Sequence, residues 1–186
     1  MSHRRRFFGE RHPREDNWKE KVRGMARETL DAEVRKQLVA LLDGGQAHAK
    51  FEDAVADFPV ELRGVVPEGL PYSAWQILEH IRIAQRDILN FSAPPTCGYH
   101  GLKWPEEYWP KVPASAEAWE RSVASVRSDL EKFKKLILRP GADLEKPFLW
   151  GEGQNLLREA LLIADHQAYH LGELIVLRRL LGAWKK

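Results

Sequence analysis

With Cys97 as its one cysteine, the 186-residue chain can form no internal disulfide and no zinc or iron–sulfur site built from several thiolates. It has no apolar run approaching the roughly 20 residues that a bilayer-spanning helix requires. It also has little excess charge. Lys+Arg number 29 against 27 Asp+Glu, a formal +2, so overall charge gives no drive toward nucleic acid. Apolar residues are not scarce: 44% are hydrophobic and 30% charged, a composition that builds a core instead of staying disordered. The length suits one domain with a tail. These features predict a soluble, cytoplasmic, globular protein with no membrane partner.

The small charge is unevenly spread. Residues 1–27 carry nine Lys/Arg and four acids, a local +5 that leaves −3 for residues 28–186. No apolar segment lies in this stretch to make a secretory signal. It reads as a solvated, poorly ordered basic extension, followed by one domain over residues 28–186. Two other readings stand beside it: a nucleic-acid contact through Arg4-Arg5-Arg6, and a translation start at Met25.

From there the pattern is helical, with no alternation of strand type. A first helix is expected over Thr29–Asp43, from Leu30, Val34, Leu38 and Leu41/Leu42, ended by Gly44-Gly45. A short helical piece is read over Ala49–Phe58, before Pro59. Ser73 with Gln76 forms a capping box for a second long helix, whose inward stripe is Ile77, Ile81, Ala84, Ile88 and Phe91. Pro94-Pro95 closes it. A third helix is expected over Ser115–Leu138, with a seam of Trp119, Val123, Val126, Leu130, Phe133 and Ile137. The fourth runs over Asn155–Leu181, with apolar residues on more than one face, so it is central or partly covered by a partner chain. The fold class is therefore all-α, a four-helix bundle. Between helices two and three, residues 93–113 hold five prolines with Tyr99, Trp104, Tyr108 and Trp109. So many aromatics predict a cover packed across one end of the bundle.

Seven histidines carry the chemistry. His3 and His12 fall in the tail. His166 and His170 sit one turn apart in Asp165-His166-Gln167-Ala168-Tyr169-His170-Leu171-Gly172-Glu173, so both imidazoles leave the same helix face and can share one divalent ion. That face is apolar, with Ile163, Leu174 and Leu177 beside them. Two imidazoles facing a core without partners would cost about 1–3 kcal/mol each, which a metal removes. Alone, the pair reads equally well as two core histidines bonded to backbone carbonyls. His80, in Leu78-Glu79-His80-Ile81, adds a third inward ring from another helix. Three imidazoles that leave coordination positions open describe a catalytic arrangement more than a structural one.

Ser73-Ala74-Trp75-Gln76-Ile77-Leu78-Glu79-His80, followed by the segment Asp165–Glu173, resembles the DinB-like (YfiT-like) metalloenzyme superfamily, across roughly residues 28–184. The resemblance implies that His80, His166 and His170 bind a divalent metal, nickel or zinc, at one end of a four-helix bundle. It also implies thiol-dependent S-transferase or isomerase chemistry on low-molecular-weight thiols, and a homodimer formed through helix faces.

Other residues are weaker candidates. Glu173 is a candidate general base, or an acceptor for a ligand histidine, beside the plainer reading of a solvated side chain. Asp165 and Glu79 are expected at the surface or at helix contacts, and Trp75 and Tyr169 in the core. His48 and His100 are expected at loop or helix edges, with His100 the better placed to line a pocket. Cys97 is expected to be inert, with no cation or helix N-terminus near it. The leading functional expectation is a metal-dependent S-transferase or hydrolase acting on a small molecule. The alternatives are a non-catalytic, stress-related dimeric bundle that holds metal or ligand, and a nucleic-acid binder using the tail.

Overall fold

The computed structural model describes residues 13–94, 96 and 98–184. Among these the chain is all helical, with no strand: α1 (Pro13–Asp43), α2 (Phe51–Val55), a 3-10 turn (Val60–Leu62), α3 (Ala74–Ser92), α4 (Ala116–Leu138) and α5 (Leu156–Leu180). Among the described residues no helix is long and apolar enough to cross a membrane. The chain divides into two units, residues 1–37 and residues 38–186.

The first unit, where described, is the N-terminal part of α1. It begins at Pro13 rather than Thr29, with proline in the first helical position, where its missing N–H is no loss. Every residue from Trp18 to Glu33 is exposed, so this part of the helix has no buried stripe to betray it to hydrophobic periodicity. Local pairs support it: Arg35 Nε donates to Asp31 at 2.7 Å and Gln37 to Glu33 at 2.5 Å. Leu30, expected on an inward stripe, is 65% exposed. Residues 13–27 of the basic extension are thus helical. His3, His12 and Arg4-Arg5-Arg6 lie outside the described residues.

In the second unit α3 is the central element, packed on one side by α4 and on the other by α5. Its start is fixed as a capping box: Gln76 N donates to Ser73 Oγ at 3.3 Å, and Ser73 N donates to Gln76 Oε1 at 2.9 Å. Ile77, Leu78, Ile81 and Ala84 are buried along it. α4 starts from the Ser115 cap and buries Trp119, Val123, Val126, Phe133 and Ile137; α5 starts from the Asn155 cap and buries Ile163, Leu171, Leu174 and Leu177. Each such side chain removed from water contributes about 1.5–3 kcal/mol. Leu38 and Leu42 on the last turns of α1 are buried, whereas Leu41, about 100° around the helix from Leu42, is half exposed. α2 and the following turn bury Val55 and Phe58, the latter against Trp119 with ring centroids 5.2 Å apart.

Polar ties fix the register of the three long helices. The carboxamide of Gln85 donates to the Val126 carbonyl of α4 at 2.7 Å and accepts from Gln167 of α5. Glu79 accepts from Ser122 Oγ at 2.5 Å and from Arg82 at 2.7 Å. Satisfied in this way, buried polar groups specify one arrangement among several that apolar packing alone would allow.

Candidate metal centre

His80, near the N-terminal end of α3, faces His166 and His170 on α5. Antiparallel packing of α3 and α5 brings the three rings into one cluster, with centroids 4.9 Å (His80–His166), 4.6 Å (His80–His170) and 4.5 Å (His166–His170) apart. One nitrogen from each ring lies within 4.8 Å of the others, and the Nε2 atoms of His80 and His166 are 3.1 Å apart. Two nitrogens held at about 2.0–2.1 Å by a tetrahedral zinc would stand roughly 3.4 Å apart, close to that spacing. Three imidazole nitrogens suit a borderline divalent ion such as zinc or nickel, so the group can hold a metal ion.

Two of the rings are already oriented. The Tyr108 carbonyl lies 2.9 Å from His80 Nδ1; a carbonyl only accepts, so Nδ1 carries the hydrogen and the Nε2 lone pair turns toward the cluster. Glu173 Oε2 accepts from His170 Nδ1 at 2.7 Å and leaves His170 Nε2 free in the same sense. Metal-binding histidines need this kind of outer partner.

Burial is the main influence on His166. Together with repulsion from His170 and His80 it pushes the pKa down to about 4 from an ordinary 6.5. His80 is also lowered, chiefly by burial. Both rings therefore stay neutral near pH 7, the form that ligates a metal.

The aromatic segment forms the expected cover. Trp109 stacks on His80 with centroids 4.2 Å apart and planes 6° from parallel, and Tyr72 stacks on Trp109. Trp104 stands more exposed, 6.2 Å from His80. The hydroxyls of Tyr99 and Tyr108 donate to the two oxygens of Asp87, at 3.1 and 2.5 Å. Burial, reinforced by Asp87, pushes the Tyr99 phenol up to about 12 and the Tyr108 phenol up as well, so both remain protonated donors. Behind the cover a cavity of about 450 Å³ reaches the three histidines. Ala84, Ile88, Phe91 and Leu162 make its apolar wall, and buried Glu159, paired with Arg158 at 2.5 Å, lies in it too.

Other expected residues fall elsewhere. Glu173 reaches the cluster only through His170. His48 is exposed and lines a separate cavity of about 370 Å³; His100 is exposed and does not line the histidine cavity. Asp165 is exposed, Glu79 is buried at a helix contact, and Trp75 is buried in the core. Tyr169, expected in the core, is 66% exposed: one residue before His170 on the helix, it is turned about 100° away from the inward face. Cys97 lies outside the described residues. Asp87 and the Tyr108 carbonyl carry no sequence signal of their own. Asp87 is two turns beyond His80 on the same helix face, but an acid at such a position reads as solvated.

An all-α bundle with an imidazole triad on two neighbouring helices, opening on a cavity, defines a helical protein with a candidate metal site. The sequence pattern of the DinB superfamily matches residues 45–174, more than half of the chain and inclusive of all three histidines. The chain belongs to the DinB superfamily. No curated protein and no solved structure matches it.

Proposed function

We propose that the protein is a cytoplasmic, divalent-metal-dependent enzyme acting on small molecules, a thiol-dependent S-transferase or a hydrolase. The observation that carries this reading is the convergence of His80, His166 and His170 at the wall of the 450 Å³ cavity, two of them held by outer partners. A zinc or nickel ion bound there supplies a Lewis acid that makes a thiol or a water acidic enough to be a nucleophile near neutral pH.

The chain's own residues do the rest. The three imidazoles hold the ion. Glu173 and the Tyr108 carbonyl fix the rings of His170 and His80. Trp109 and Trp104 shield the cluster from bulk water, and the Ala84–Ile88–Phe91 wall takes the apolar body of a substrate. Bonded to His170 Nδ1, the Glu173 carboxylate serves better as an orienting acceptor than as a base acting on substrate.

On α5, Leu161, Tyr169, Val176 and Leu180 are exposed on the outer side of the helix, which supports a homodimer formed through this face. A non-catalytic dimeric binder would share the same site and face. Protein prepared without a metal column and assayed for metal content, then given a panel of low-molecular-weight thiols with electrophiles, decides between the readings. Retained metal with turnover supports the enzyme, and retained metal with none supports the binder. Protein that takes up neither zinc nor nickel contradicts both.

A further inference from the structure

Asp87 lies two helical turns beyond His80 on α3, about 10 Å along the axis, too far to touch an ion held by the histidines. A single residue of the aromatic cover nevertheless joins the two positions. Tyr108 gives its hydroxyl to Asp87 Oδ2 at 2.5 Å, and its backbone carbonyl accepts from His80 Nδ1 at 2.9 Å. The other Asp87 oxygen takes the Tyr99 hydroxyl at 3.1 Å, so one carboxylate holds the cover at two points along its length. Next in the chain, Trp109 stacks flat on His80.

We infer that Asp87 is a positioning residue for the metal centre: through the Tyr108 hydroxyl it fixes the carbonyl that sets the orientation of His80. The inference rests on the proposed metal-binding role of the triad and extends it to a residue outside the triad that holds the cover over it. A carboxylate suits this position because both oxygens only accept, so both phenol hydroxyls can be anchored at once. An asparagine offers one accepting oxygen and turns a donor toward the second hydroxyl. Without the anchor, two half-buried hydroxyls lose their acceptor and the Tyr108 carbonyl is no longer held in register with His80. The imidazole can then rotate, or exchange its hydrogen between Nδ1 and Nε2, which misdirects the lone pair.

Zinc titration of the full chain by calorimetry tests this in the wild type, Tyr108→Phe, Asp87→Asn and the double variant. Tyr108→Phe removes only the hydroxyl that anchors the carbonyl and keeps the carbonyl group itself, so it tests the relay even if Asp87→Asn folds poorly. Each single change is expected to weaken zinc binding about tenfold, the low end for loss of a ligand's outer partner. The double variant is expected to bind no worse than the weaker single, since both changes break the same path.

A second measurement needs no metal. Nitrogen NMR of the His80 ring in the metal-free protein is expected to show hydrogen on Nδ1 in the wild type and a mixture of tautomers in Tyr108→Phe. Zinc affinity of Tyr108→Phe within about twofold of wild type, with an unchanged His80 tautomer, overturns the inference. Losses that multiply in the double variant overturn it as well. A wild type that takes no zinc overturns the proposed function instead, and the ring-nitrogen spectra then decide the positioning role alone.

Discussion

The Nε2 atoms of His80 on α3 and His166 on α5 stand 3.1 Å apart, although 86 residues separate them in the chain. His80 shows Nε2 as an acceptor, because its Nδ1–H is committed to the Tyr108 carbonyl, so in the metal-free protein the hydrogen between the two rings belongs to His166. A divalent ion bound by the triad would replace that one hydrogen bond with bonds to both rings.

Zinc should therefore stabilise the fold. At a free concentration about 1,000 times its dissociation constant, a ligand that binds only the native state adds about 4 kcal/mol. Melting followed by circular dichroism should show that rise in wild type and none in His166→Ala. Equal zinc-dependent rises in the two proteins would remove His166 from the ligand set.

Glu173→Gln keeps the size of the side chain and removes the charge that faces His170 Nδ1. We expect zinc affinity to fall about 10- to 100-fold, with helical content unchanged. Unaltered affinity in calorimetry would reduce Glu173 to an ordinary surface acid.

The depressed pKa of His166 makes stability depend on pH. The unfolded chain takes a proton on this ring near 6.5, but the folded metal-free protein takes it only near 4. Between those values the unfolded state binds more protons, so stability is lost as pH falls from about 6.5 to 4 and is fully present above that window. His80 acts in the same direction. Denaturant midpoints of metal-free wild type should drop faster over this range than those of His166→Gln, which has no ring to protonate. Parallel curves would mean that the ring is not buried as described.

Core packing and capping give predictions that need no metal. Phe133 is wholly buried, so Phe133→Ala should cost about 3–5 kcal/mol in urea unfolding. Leu149→Ala, at a side chain 92% exposed, should change stability by less than about 0.5 kcal/mol. Ser73→Ala breaks the capping box that starts α3 and should cost about 1 kcal/mol. A Phe133→Ala protein as stable as wild type would contradict the packing of α4.

The long helices of the second unit were legible because their signals are local. Ser73 with Gln76, and Ser115, start helices wherever an apolar stripe follows, and the Trp119–Ile137 seam repeats at helical spacing. The pairing of His166 with His170 was legible for the same reason, since one helical turn fixes their common face whatever surrounds it. The N-terminal part of α1 was not, because an exposed helix held by pairs such as Arg35–Asp31 leaves no hydrophobic period. Tyr169 was misplaced because α5 is apolar on more than one side, and periodicity does not say which side is covered.

By itself the sequence determined the long helices of the second unit, the Ser73 and Ser115 caps, and the helix face shared by His166 and His170, since backbone geometry and nearest-neighbour chemistry act within a few residues. Only the tertiary structure decided that His80 meets the pair on α5, that Glu173 and the Tyr108 carbonyl orient two of the rings, and that Asp87 anchors the cover. Those contacts join residues from different helices and a loop, and their distances depend on how whole elements pack, a long-range balance of buried surface and satisfied polar groups that no local pattern encodes.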